Sequence, residues 1–159
     1  MELWSCDSSN TCEYHDINPG LRSSSPGNFK VLGINLYFVA QDDTHGAELW
    51  SCNTTHECAM VHDIWPGSES SRPQELTLFN GQVFCSAEDE DSGDELWACD
   101  SNDNCTMVVD IRDGPESSRP ASLTVFNNKL FFAAFTDADG RQLWSCSETN
   151  ECSMAVRLG

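Results

Sequence analysis

Four Leu-Trp pairs recur along this chain, at Leu3-Trp4, Leu49-Trp50, Leu96-Trp97 and Leu143-Trp144, with steps of 46, 47 and 47 residues between tryptophans. Independent markers keep the same beat. Asp-Ile recurs at Asp16-Ile17, Asp63-Ile64 and Asp110-Ile111, each 47 residues apart. Ser-x-Pro recurs at Ser24/Pro26, Ser71/Pro73 and Ser118/Pro120, and Gly46, Gly93 and Gly140 precede each later Leu-Trp. A fixed period of this length marks a repeat protein, in which one unit cannot bury its apolar face alone and neighbours stack to form the core.

Each unit reads as four short strands. In the last one, Ser122–Phe126 is apolar and β-branched, and the turn Asn127-Asn128 leads into Lys129–Phe135, with Leu130, Phe132 and Ala134 on one face. Gln142–Cys146 and Cys152–Arg157 follow as a further pair. Gly- and Asn-containing turns between such runs are hairpin chemistry. No window carries a helical stripe. The expected fold is all-β, a β-propeller-like repeat of four-stranded antiparallel blades, with about three and a half units of 46–47 residues. Residues 1–159 form a single repeat domain, with a half unit at 1–20 and full units at 21–67, 68–114 and 115–159. Such a count does not close into a ring of typically four to eight blades. The chain is therefore expected to be an arc of a larger ring, or to associate through open strand edges into a ring, solenoid or fibre.

Nine cysteines are present, and eight form a Cys-x5-Cys pair in every unit: Cys6/Cys12, Cys52/Cys58, Cys99/Cys105 and Cys146/Cys152. Each pair flanks a polar tip and would sit across the neck of a hairpin, within disulfide reach. Zinc sites favour closer pairs that converge, so disulfides are expected and with them an oxidising setting. The ninth, Cys85, occupies the inward position of Phe38 and Phe132 and is expected to be a buried free thiol.

With Glu2-Leu-Trp4, Glu48-Leu-Trp50, Glu95-Leu-Trp97 and Gln142-Leu-Trp144, followed by Asp-Ile-x-Pro-Gly at 16–20 and 63–67 and Ser-Ser-x-Pro at 70–73 and 117–120, the chain resembles the ELWxxDGT repeat family of secreted and surface proteins. The resemblance covers essentially the whole chain. It departs where that family has an Asp-Gly-Thr tip and this chain has Cys-x5-Cys. It implies a propeller-like extracellular repeat and no defined catalytic site.

The formal net charge of −18 opposes contact with nucleic-acid phosphates and anionic lipid, and no apolar run is long enough for a membrane helix. Asn53-Thr-Thr55 and Asn104-Cys-Thr106 fit the glycosylation sequon, so Asn53 and Asn104 are candidate glycan acceptors, against ordinary polar turns. The acidic turns before each Leu-Trp make Asp89, Asp91, Asp137 and Asp139 weak candidate calcium ligands, against plain solvated turns; no other cofactor is expected. Trp4, Trp50, Trp97 and Trp144 are candidate sugar-stacking residues, against packing between blades. No Gly-x-Ser-x-Gly, phosphate loop or HExxH occurs. The expected function is that of a non-enzymatic extracellular or cell-surface structural or adhesive module, partnered by itself or flanking repeats. A carbohydrate-binding propeller with one site per blade is the alternative, with glycans as partners.

Overall fold

The computed structural model describes residues 1–156. It is all-β, with no helix among the described residues and hence no helix long and apolar enough to cross a membrane. A two-stranded sheet of β1 (Leu3–Cys6) and β2 (Cys12–His15) comes first. Three four-stranded antiparallel meanders follow. These are β3 (Gly27–Leu32) to β6 (Cys58–His62), β7 (Gln74–Phe79) to β10 (Cys105–Val109), and β11 (Ala121–Phe126) to β14 (Cys152–Val156). Their middle strands are β4 (Asn35–Asp42), β5 (Gly46–Cys52), β8 (Gln82–Asp89), β9 (Gly93–Cys99), β12 (Lys129–Thr136) and β13 (Gly140–Cys146).

The sheets stack face on face, and the core consists of the three interfaces between them. Leu3 and Ile17 of the half unit pack on Phe38, Trp50 and Cys52. Leu49, Val61 and Ile64 pack on Cys85, Trp97 and Cys99 of the next sheet. Leu96 and Phe79 pack on Phe132, Ala134 and Cys146 of the last. Each unit thus offers a leucine-isoleucine face to the tryptophan face of its successor, as expected of a repeat whose stability lies in nearest-neighbour contacts. The first strands β7 and β11 also meet directly: Thr77 Oγ1 donates to the Leu123 carbonyl at 3.4 Å, and Leu123 N donates to Glu75 Oε2 at 3.3 Å.

The odd step of 46 residues has a local cause. In the full units the fourth strand carries a bulge: Trp50 pairs with Met60 but Leu49 with His62, leaving Val61 extra. Val108 and Ala155 are the extra residues in the other two. Between β1 and β2 the register runs unbroken, Trp4 to Tyr14 and Leu3 to His15. The half unit is one residue short because it lacks the bulge.

Consecutive sheets are locked by the glutamate of Glu-Leu-Trp. Glu48 Oε1 accepts from Ser71 N at 2.8 Å, while Oε2 accepts from Ile64 N at 3.2 Å and from the Ser71 hydroxyl. Glu95 repeats the pattern with Ser118 N (2.8 Å), Ile111 N (3.1 Å) and Ser118 Oγ (2.6 Å). Glu2 does so with Ser24 and Ile17. The same serines reach forward: Gln41 N, Glu88 N and Phe135 N donate to the carbonyls of Ser24, Ser71 and Ser118 at 2.8–2.9 Å. One serine therefore ties the third strand of a unit to the second strand of the next. Glu48 and Glu95 are fully buried, and desolvation pushes both carboxyls above their ordinary range despite the three donors each receives. At the open end of the stack Glu2 is only half-buried. Burial raises its carboxyl too, but the bonds from Ser24 and Ile17 outweigh that, and the net direction is down.

The turn glycines serve the same linkers. Gly46 has φ +69°, and a Cβ there would lie 2.1 Å from the Glu69 carbonyl oxygen. Gly93, at φ +66°, would meet Ser117 Oγ at 2.8 Å and the Pro115 carbonyl at 2.9 Å, whereas Gly140, at φ +68°, would meet nothing within 4 Å. Gly140→Ala should therefore cost only left-handed strain, about 1 kcal/mol. Gly46→Ala must also displace a linker backbone and should cost about 3 kcal/mol, lowering Tm by about 10 °C. Equal melting points for the two variants would refute the linker contact.

Candidate functional site

The hairpin tips lie between the paired cysteines and carry both sequons. All four Cys-x5-Cys pairs are disulfides, with Cα–Cα separations of 4.0 Å in each, and each joins directly opposed residues at the neck of its hairpin. Four bridges fit an oxidising setting. Each tip is drawn tight by its first residue. Asp7 Oδ1 accepts from Ser9 N and Thr11 N, Asn53 Oδ1 from Thr55 N and Glu57 N, and Asp100 Oδ1 from Asn102 N and Asn104 N. This is the Asx-turn geometry for which short polar side chains are suited. Asn53 and Asn104 are both exposed; the Asn53 amide also donates to Glu57 Oε2 at 2.9 Å.

The fourth residue of each later tip reaches back to the preceding unit. The Tyr37 hydroxyl donates to Asp103 Oδ1 at 3.3 Å, and Asn150 Nδ2 donates to Gln82 Oε1 at 3.1 Å. At the first junction the equivalent is His56, whose Nδ1 lies 3.1 Å from Glu13 Oε2 and whose ring meets His15 edge-on at 5.8 Å between centroids. His15 Nε2 is in turn 2.8 Å from Ser5 Oγ. Beside this group a hollow of about 380 Å³ opens between the half unit and the next sheet, walled by Leu3, Ser5 and His15 on one side and Ile34, Leu36 and His56 on the other. His15 and His62 each precede an Asp-Ile pair and so occupy equivalent places in the repeat. The sequence carries no sign of the Glu13–His15–His56 grouping, because His56 is 43 residues from Glu13 and arrives through sheet stacking.

The tryptophans separate into two kinds. Trp50 and Trp97 are packed between sheets, 8% and 9% exposed, and Trp144 is half-buried. Trp4, on the outer face of the half unit, is 60% exposed and sits against Tyr14 with ring centroids 5.4 Å apart. The other end of the stack mirrors this. Phe79 is 5% exposed within an interface, while its equivalent Phe126, on the far face of the last sheet, is 69% exposed. Trp4 and Phe126 are thus open copies of residues that a neighbouring sheet covers, wholly or in part, elsewhere in the chain.

The acidic turns do not converge. Asp89 Oδ1 caps its own turn by accepting from Asp91 N and Ser92 N, Asp137 is ion-paired with Arg112 at 2.7 Å, and Asp139 N donates to Thr136 Oγ1. Among the described residues, none of Asp89, Asp91, Asp137 and Asp139 belongs to a group of three side chains spaced to hold a metal; Glu13, His15 and His56 form such a group. Cys85 is the free cysteine, fully buried, and desolvation pushes its thiol to about 12, which makes it inert as a nucleophile. No family model matches the chain, and no curated protein matches it.

Proposed function

We propose that the chain is a non-enzymatic structural module of the extracellular space or cell surface, joining end to end with further copies of itself or with flanking repeats of the same kind. The observation that carries this reading is the matched pair of end faces: Trp4 at 60% against Trp50 at 8%, and Phe126 at 69% against Phe79 at 5%. Exposed aromatic surface of this kind marks an interaction site. Here the complementary surface is known, because the leucine-isoleucine face and the tryptophan face already pack together inside the chain. A contact between opposite ends is heterologous and generates a ring if the rotation closes, a fibre if it does not. The open edge of β1, unpaired on its outer side among the described residues, adds backbone groups that a further strand would satisfy. The adjacency of β7 and β11 supports an arrangement of sheets about a common axis, in the manner of propeller blades, as does the resemblance to ELWxxDGT repeats. Glycans on Asn53 and Asn104 would project from the exposed tips.

Sedimentation velocity over a range of concentrations, with electron microscopy of the same sample, tests the reading. Multi-chain rings or filaments are expected, favoured by salt because every copy carries a net charge of −18. Trp4→Asp and Phe126→Asp should each abolish them while leaving the melting temperature unchanged. A monomer at every concentration and ionic strength overturns it. A second reading, sugar binding, is favoured by the exposed Trp4–Tyr14 pair alone, since the buried Trp50 and Trp97 offer no stacking surface. It therefore predicts one glycan site at the half unit, lost in Trp4→Asp, and no assembly.

A further inference from the structure

We infer that Glu13, His15 and His56 form a binding site for a divalent transition metal, with zinc as its representative, at the junction between the half unit and the first full sheet. One ligand atom from each residue lies within 4.8 Å of the other two. The donor set of two imidazoles and one carboxylate is of the kind that zinc takes, with bond lengths of about 2.0–2.2 Å and a fourth position left for water. Tetrahedral ligands at that distance stand about 3.4 Å apart. His56 Nδ1 and Glu13 Oε2, at 3.1 Å, are already near this spacing. Only the His15 ring has to close in, and both partners it approaches are exposed side chains free to turn toward it.

Three further observations set this junction apart. The equivalent contacts elsewhere, Tyr37 with Asp103 and Asn150 with Gln82, are single hydrogen bonds that leave nothing for a cation to bridge. Neither Asn10 nor Asn150, which stand where His56 stands, brings an imidazole to its tip. Ser5 Oγ holds His15 Nε2 at 2.8 Å, the kind of outer contact that fixes the orientation of a metal-bound ring. The strongly acidic chain favours any cation in general, but nitrogen donors select against calcium and magnesium, which take oxygen ligands. Glu13 and His15 alternate with Tyr14 along β2 and so lie on the opposite face of the strand from the Tyr14 ring that packs on Trp4.

Calorimetric titration of the native, chelator-treated chain with zinc chloride tests the assignment. One site with a micromolar Kd is expected, and no heat from calcium or magnesium at the same concentrations. His56→Asn is the decisive variant, because asparagine already occupies the equivalent tip positions 10 and 150 and tolerates the positive φ of 62° found at His56. It should fold with an unchanged melting temperature and bind zinc at least about tenfold more weakly. Glu13→Gln should weaken binding as well, while His45→Gln and His62→Gln, outside the group, should not. Cobalt in place of zinc should give visible d–d absorption in the native chain and none in His56→Asn. Absence of zinc binding by the native chain, or binding that His56→Asn leaves unchanged, overturns the assignment. Light scattering on the same samples reads assembly separately.

Discussion

Reduction of the native protein, followed by alkylation, is expected to lower its melting temperature by more than about 20 °C or to unfold it outright. Each bridge closes a small hairpin ring, for which loop entropy assigns roughly 2 kcal/mol. Four such rings, at Cys6–Cys12, Cys52–Cys58, Cys99–Cys105 and Cys146–Cys152, together approach the whole free energy that holds a domain of this size folded, about 5–15 kcal/mol. The bridges should not yield together. Both cysteines of Cys6–Cys12 are exposed at the open end of the stack, whereas both cysteines of Cys99–Cys105 are buried at an interface. Timed alkylation with mass spectrometry should therefore find the first bridge opened earliest and the third last. Cys85, buried with its thiol pushed to about 12, should be labelled only after the sheets separate. A reduced, alkylated protein that melts within a few degrees of the oxidised form would mean that stacking alone sustains the fold.

Truncating a clasping glutamate should be nearly as damaging. Glu95→Ala leaves the backbone N–H groups of Ile111 and Ser118 and the Ser118 hydroxyl without their acceptor. An orphaned buried donor costs about 1–3 kcal/mol, so a loss of about 4 kcal/mol is expected, with the denaturant midpoint as the measurement. Glu95→Gln keeps one acceptor oxygen and should cost less. A loss below about 1 kcal/mol in Glu95→Ala would show that water enters the junction and replaces the carboxylate.

The native chain and Glu95→Gln also separate in their pH dependence. Burial raises the carboxyls of Glu48 and Glu95 in the folded chain, and raises Asp94 to about 6. A group whose folded pKa exceeds its unfolded one binds its proton more tightly when folded. Its contribution to stability is therefore full below the ordinary carboxylate pKa and is lost as pH rises through the raised folded value. Hydrogen bonds hold the tip carboxylates Asp7 and Asp100 below their ordinary values, so these act in the opposite sense over a lower window. As pH rises above the ordinary carboxylate range the native chain should lose more stability than Glu95→Gln, which no longer carries the proton at that site. Equal slopes for the two would place the Glu95 carboxyl at its ordinary value.

What lay open in the sequence and what did not divides by the distance along the chain over which contacts form. The period, the strand runs such as Lys129–Phe135, the four Cys-x5-Cys hairpins and the inward place of Cys85 all depend on pairing within one unit. Side-chain alternation and turn residues encode that directly. Contacts between units have no such local record. The glutamates of Glu-Leu-Trp were visible as a motif, yet nothing in their spacing says that each carboxylate turns toward a serine 23 residues on. The four tryptophans look alike in sequence, and only the stack decides that Trp50 and Trp97 are covered while Trp4 stands open. The missing residue of the first step was countable, but its identity as an absent bulge required the register of β1 against β2. Glu13, His15 and His56 lie on a strand and a tip from different units, and face-to-face packing of two sheets is what brings them together.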